Sequence, residues 1–312
     1  MSEADRMKKA IVCGGAGFVG SALVKELLSH QVEVWVIVRE GFLAAGRNHR
    51  LDGLDVHIVE CDLDKLDTVA EKIPDRDIDV WYQLAWDGLF NEPLLDYKRQ
   101  VANIRFVMDA IVVAKTLGCA KLVGSGSISQ YELTVPEGRA AVGDKHTIYK
   151  TAKLACEYMG EGVARQQGIG FIWPIFTNIF GVGETSNRLV NSMIRNLQAG
   201  RHQSLSEGNQ IYDFIYITDA ARALYLIGEK GISGHHYVLA GGDAKPLKEF
   251  LTVIRDVVDP TAELGFGEMK FNGIYLPREM YSIDELTRDT GFVPKVSFKE
   301  AIRLTAEWIK AQ

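Results

Sequence analysis

Tyr149 and Lys153 are the residues of this 312-residue chain whose types and spacing point most directly to chemistry. Four positions apart on a helix, they share one face. A free phenol ionises near pH ~10 and is a poor acid–base group at neutrality. A neighbouring ammonium favours the phenolate and lowers that value, so the pair reads as a proton-transfer site. Tyr-x-x-x-Lys alone is common on surface helices. It gains weight from a serine-rich run about 20 residues upstream, Gly124-Ser125-Gly126-Ser127-Ile128-Ser129-Gln130-Tyr131.

A second constellation lies near the start of the chain. Gly14-Gly15-Ala16-Gly17-Phe18-Val19-Gly20 follows the apolar run Ala10–Cys13 and opens a stretch of helical spacing, with Val19, Leu23, Leu27 and Leu28 on one face. Strand, glycine turn and helix in that order form a dinucleotide cradle. Gly14 permits the tight turn, Gly17 lets a pyrophosphate approach the backbone, and Gly20 lets helix pack on sheet. The helix N-terminus then offers free N–H groups and a positive dipole end to the phosphates. A glycine turn without a ligand is the alternative for such a run in isolation. The next strand ends in Val38-Arg39-Glu40. A carboxylate there would bond the ribose 2′-OH of NAD, whereas an arginine would accommodate the 2′-phosphate of NADP. Arg39 favours NADP, and Glu40 keeps NAD open.

The elements that must position these groups alternate. Strands are expected at residues 10–13, 33–38, 56–59, 79–84, 121–123 and 170–173, with long helices over 94–117 and 148–167. Such alternation predicts an α/β fold with a doubly wound parallel sheet, binding ligands at the carboxyl ends of its strands. The second half is broken more often by glycine and polar loops. Helices are expected there over 188–199, 218–229, 247–257 and 298–311, with strands at 235–240 and near 271–276. The division predicted is a Rossmann domain over residues 1–175 and a smaller α/β substrate lobe over 176–312, with a soft, interleaved boundary.

Composition narrows the function classes. A net charge of −6 gives no basic surface for nucleic acid. Cys13, Cys61, Cys119 and Cys156 are scattered without a Cys-x-x-Cys, as expected of buried thiols in a reducing cytoplasm rather than a disulfide or metal site. The polar start of the chain is unlike a signal peptide, and no apolar run reaches the ~18 residues of a membrane span.

The Gly-x-x-Gly-x-x-Gly spacing, together with the serine run and Tyr149/Lys153, resembles the extended short-chain dehydrogenase/reductase family of NAD(P)-dependent nucleotide-sugar epimerases, dehydratases and reductases. The resemblance spans nearly the whole chain. It implies that Ser127 is the catalytic hydroxyl, positioning the reacting oxygen, that Tyr149 moves the proton, and that Lys153 tunes the site and holds the nicotinamide ribose. It implies an adenine contact for Asp62, next to Leu63, although Asp62 could also cap the following helix. Leu84-Ala85-Trp86 would line the cofactor, with Gln83 replacing the family's histidine. Asn103 would bond backbone and keep its helix kinked beside the site.

Two departures bear on the substrate. Dehydratases of this family place Asp-Glu directly after the catalytic Ser or Thr; here Ile128-Ser129 follow Ser127, which disfavours dehydration. The segment Ile211-Tyr212-Asp213-Phe214-Ile215-Tyr216 carries Tyr212 where many relatives have an arginine that pairs with the substrate diphosphate. Arg188 or Arg278 could substitute, or each could be a solvated surface arginine. Asn178 matches an asparagine that contacts those phosphates, or it shapes a turn. Asp219 is expected to cap the next helix. The expected function is reduction of a 4-keto-6-deoxy sugar nucleotide with NADP (NAD possible). Transient oxidation by a UDP-glucose 4-epimerase-like enzyme with tightly bound NAD, or reduction of a non-sugar carbonyl, are the alternatives. A cofactor-sensing regulator would tend to lose Tyr149 or Lys153, and both are kept. A homodimer through the two long helices is expected.

Overall fold

The computed structural model describes residues 6–46, 50–89, 92–137 and 146–312. They form two compact units. The first comprises Met1–Ile175, Ala221–Tyr237 and Glu285–Phe292, and the second comprises Phe176–Ala220, Val238–Asp284 and Val293–Gln312. The first half of the chain is thus joined in its unit by two later returns.

The first unit is a parallel sheet with helices. Its strands are β1 (Lys9–Cys13), β2 (Glu33–Val38), β3 (His57–Glu60), β4 (Val80–Gln83), β5 (Lys121–Val123) and β6 (Gly170–Ile172), in the spatial order β3-β2-β1-β4-β5-β6. Every pairing is parallel. Ala10–Cys13 and all of β4 are buried, as continuous apolar strands must be when both sheet faces are covered. The order reverses at β1: Cys13 pairs with Ile37 on one side and Gln83 on the other. Three helices matter for the site. α1 (Phe18–Ser29) leaves the glycine turn. α2 (Tyr97–Thr116) is capped by the Asp96 side chain, which accepts from the Lys98 N–H at 2.9 Å. α3 (Thr147–Gln167) stops at Gly168, whose φ of +64° is the left-handed conformation that ends helices.

The second unit is built around rings. β7 (Asn178–Phe180) pairs in parallel with Phe214–Tyr216, and helices Leu189–Gln198, Leu247–Val258 and Phe298–Lys310 belong to this unit. Phe180, Phe214, Phe250 and Phe298 form one cluster with centroids 4.8–6.0 Å apart, edge-on and tilted as ring quadrupoles prefer. Two expected strands differ here. The 235–240 run is regular only at Val238–Leu239. Residues 271–276 carry no strand: Gly273 interrupts the extended run, and the Phe271 ring turns onto Tyr275 with centroids 5.0 Å apart. The strand of this region is instead Leu264–Phe266, paired with Gln203–Leu205.

Candidate active site

A cavity of about 820 Å³ opens at the carboxyl ends of β1, β2 and β4, at the point where strand order reverses. Gly14 and Gly17 line it. Gly14 has φ +88°, and a Cβ there would lie 2.8 Å from the Ala85 nitrogen. A Cβ at Gly20 would overlap the Gly14 carbonyl oxygen, so this turn can close onto the sheet only with glycine at both positions. Phe18, Val19 and Gly20 form the first turn of α1, behind the lining. The bond from the Ser21 N–H to the Gly17 oxygen (2.9 Å) opens the helix and leaves the first-turn amides at its mouth.

Arg39, Asp62 and Leu63 also line the cavity. Arg39 is exposed, and Arg50 and Phe42 line the same cavity. Glu40 faces a different partner: its carboxylate accepts from Lys65 Nζ at 3.0 and 3.2 Å. Asp62 heads the turn Leu63–Thr68 but makes no side-chain cap bond. Its Oδ1 accepts instead from the Glu40 N–H at 3.1 Å. The capping role read from sequence is therefore replaced by a tie between the ends of β2 and β3.

Leu84, Ala85 and Trp86 line the cavity after β4, where the Leu84 and Ala85 N–H groups donate to the Cys13 oxygen at 3.0 and 2.9 Å. Gln83 is buried yet satisfied, accepting from Trp81 Nε1 and donating to the Ala85 oxygen. Asn103, 1% exposed, grips the backbone of Asp87 with both ends of its amide, at 2.9 and 2.8 Å. It holds the Trp86–Asp87 segment without lining the cavity itself.

Tyr149 and Lys153 sit on α3, and Ser127 follows β5. Lys153 is 3% exposed. Its Nζ donates to the Ser125 carbonyl oxygen at 2.6 Å and lies 3.5 Å from the Trp86 ring centroid and 5.8 Å from that of Tyr149. The Trp86 and Tyr149 rings meet edge-on at 6.0 Å. Burial pushes the Lys153 ammonium down to about 7, because a charged amine loses hydration there. Tyr149 and Ser127 are each half-buried, so reactants can reach both. The Ser127 hydroxyl lies 2.9 Å from that of Ser129. A reachable phenol on one helix face with an amine ionising near neutrality can exchange protons with a bound oxygen.

The residues considered for substrate contact belong to the second unit. Asn178 begins β7 and donates from Nδ2 to the Asp213 carbonyl oxygen at 2.9 Å. Arg188 precedes helix Leu189–Gln198 and is exposed, as is Arg278 at the start of the turn Arg278–Tyr281. Tyr212 packs its ring on Phe214, centroids 5.9 Å apart. Asp219 lies in the first turn of helix Ile217–Lys230 rather than at its cap. Its carboxylate accepts from the N–H groups of Lys295 and Val296 at 2.9–3.1 Å, a long-range clamp that local sequence could not reveal.

Sequence reasoning passed over Arg50, Phe42, the Trp86 side chain and Gln130. Gln130 did carry a signal: Ser127-x-x-Gln130 is a capping box, and the structure forms both of its bonds.

Residues 10–240 match the profile described as the NAD dependent epimerase/dehydratase family. The chain belongs to that family. A dTDP-glucose 4,6-dehydratase of Haemophilus influenzae is 23% identical over 337 residues, covering 97% of this chain and 98% of the relative. Among solved structures, the Bordetella bronchiseptica enzyme WbmF in complex with NADH superposes with a TM-score of 0.76 at 21% identity, covering 100% of this chain and 94% of that one. A UDP-glucose 4-epimerase of Thermotoga maritima with UDP-glucose superposes at 0.77 and 19% identity, covering 97% and 99%. Both solved structures share the fold described above. Among the described residues, no helix is long and apolar enough to cross a membrane.

Proposed function

We propose that the protein reduces the keto group of a nucleotide-diphosphate sugar, best a 4-keto-6-deoxy sugar, using NADPH. The glycine cradle, which has no room for a Cβ at Gly14 or Gly20, and the cavity above it fit a nicotinamide dinucleotide. When bound, the reduced nicotinamide supplies hydride to the carbonyl carbon. Tyr149 gives its phenolic proton to the carbonyl oxygen, the Ser127 hydroxyl donates a hydrogen bond to that oxygen, and Lys153 stabilises the phenolate left behind. Asp62, Leu63 and the backbone of Leu84–Trp86 border the cofactor. Asn178, with Arg188 or Arg278, is assigned to the substrate diphosphate.

The observation that carries the choice of NADP, and with it a reductase that exchanges its cofactor, is the pair of arginines lining the cavity that follows β2. Arg39 and Arg50 line it, while the Glu40 carboxylate is engaged by Lys65. Guanidinium groups suit a 2′-phosphate, and a carboxylate suits the 2′-OH. The nearest second reading is a 4-epimerase with retained NAD, favoured by epimerases and NAD complexes among the similar folds. Dehydration, the activity named for several relatives, is disfavoured because Ile128 and Ser129 offer no carboxylate after Ser127. Four buried thiols suit a reducing compartment such as the cytoplasm. Val101 and Val112 on α2 and Tyr158 and Met159 on α3 are exposed, an apolar face suited to a homodimer.

The test is to denature freshly purified protein, identify any nicotinamide released, and titrate the empty protein with NADPH and NADH. Empty protein that prefers NADPH supports the reductase. Stoichiometric, tightly held NAD would overturn it in favour of the epimerase.

A further inference from the structure

The Ser127 loop is fastened to α3 through a buried amide and a half-buried carboxylate that the reaction itself does not use. Gln130 is fully buried, and its Oε1 accepts from two N–H donors, the Ser127 backbone at 3.1 Å and Trp173 Nε1 at 3.3 Å. Because both partners can only donate, the amide orientation is fixed: oxygen toward Ser127, nitrogen away. That nitrogen donates to Glu157 Oε2. The other carboxylate oxygen, Oε1, pairs with His236 Nδ1 at 3.2 Å. Glu157 stands four residues beyond Lys153 and eight beyond Tyr149, on the same face of α3. The helix that carries Tyr149 and Lys153 therefore grips the serine strand end twice, through Lys153 to the Ser125 oxygen and through Glu157 and Gln130 to the Ser127 N–H.

We propose that Gln130 and Glu157 are positioning residues that hold the Ser127 hydroxyl in register with Tyr149. The proposal rests on the catalytic reading of Ser127 given above. An acceptor oxygen at 157 is needed for the Gln130 amide, whose direction is already set by its two N–H partners. Glutamine at 157 can still present an oxygen there, whereas leucine cannot, and leaves a buried N–H unpaired. Misplacing a reacting group by a fraction of an ångström to one ångström lowers turnover without weakening ground-state binding.

The test compares wild type, Glu157→Gln, Glu157→Leu, Ser127→Ala and the Ser127→Ala/Glu157→Leu double variant, with dTDP-4-keto-6-deoxyglucose and NADPH as the probe. Glu157→Leu is expected to lower kcat by about tenfold with KM and NADPH affinity near wild type. Glu157→Gln should restore kcat to within about twofold, and Glu157→Leu should cost nothing further in the Ser127→Ala background, since neighbours acting as a unit are non-additive. Amide exchange across residues 125–133, which needs no substrate, should accelerate in Glu157→Leu and not in Glu157→Gln. If Ser127→Ala lowers kcat but Glu157→Leu does not, or if exchange is equal in wild type, Glu157→Gln and Glu157→Leu, the positioning role is overturned while Ser127 keeps its assignment. If Ser127→Ala itself leaves kcat unchanged, the catalytic reading falls and the proposal with it. Equal loss of kcat in Glu157→Gln and Glu157→Leu, with lowered cofactor affinity in both, would assign the pair a merely structural role and also overturn it.

Discussion

The polar groups near Tyr149 in the first unit and the arginines of the second are held differently. In the first, Lys153 Nζ donates to the Ser125 carbonyl, Asn103 Nδ2 to the Asp87 carbonyl and the Ser127 N–H to Gln130 Oε1, each bond buried or part-buried. In the second, the basic groups Arg188 and Arg278 are exposed on separate elements, and the Tyr212 ring packs on Phe214. The first arrangement is what a fixed chemical step requires, since reacting groups must be pre-organised. The second is what a family that changes its sugar can vary without disturbing that step.

Perturbing each region should expose this contrast. The largest effect is expected at Tyr149. Tyr149→Phe removes the transferable proton and should lower kcat by about 10²–10⁴-fold while leaving NADPH affinity unchanged, as read by steady-state kinetics and a fluorescence titration. Equal loss of cofactor binding would mean that the first unit is not organised around proton transfer. Next in size is Arg39→Ala, which should weaken NADPH by roughly tenfold or more and NADH little, since one charge-assisted contact to a phosphate is lost. The ratio of the two dissociation constants is the readout, and an unchanged ratio would remove the basis for NADP.

A smaller effect concerns stability. The folded Lys153 ammonium titrates near 7, below its ordinary 10.5. Between those values the unfolded chain binds more protons, so stability rises with pH from about 7 to 9. Above about 9 the buried thiols of Cys13 and Cys119, each pushed up to about 12 by burial, reverse the slope, because the unfolded chain then loses protons first. Lys153→Met should flatten the rise in urea unfolding measured across that window.

The smallest effect belongs to the second unit. Burial raises the Asp213 carboxyl to about 6 although it accepts from the N–H groups of Gly241 and Asp243. The folded chain then holds more protons between about pH 4 and 6, and stability falls as pH rises through that range. Asp213→Asn should remove this slope without touching the one due to Lys153. A variant that altered both would show that the two regions are coupled rather than separately organised.

How much of this was legible in the chain follows the same division. The glycine turn, Tyr149 and Lys153 depend on local spacing, and local spacing is written in sequence. The parallel sheet followed from the alternation of apolar runs and helical periodicity. Asp62 and Asp219 were read as caps because capping is a local rule, yet both carboxylates are taken by backbone N–H groups distant in sequence, at Glu40 and at Lys295–Val296. The pairing of Glu40 with Lys65 joins segments 25 residues apart and has no periodicity to reveal it. The strand at Leu264–Phe266 was missed for a related reason: its partner, Gln203–Leu205, lies some 60 residues away, and so short a run has little pattern of its own.

The most direct test of the central claim is to follow absorbance at the reduced-nicotinamide band while the protein meets NADPH and dTDP-4-keto-6-deoxyglucose, with the sugar product quantified in parallel. One NADPH consumed for each keto group reduced, with loss of that activity in Tyr149→Phe, is the predicted result. No net oxidation with the keto sugar, but interconversion of UDP-glucose and UDP-galactose by protein that carries its own NAD, would contradict it and make the enzyme an epimerase.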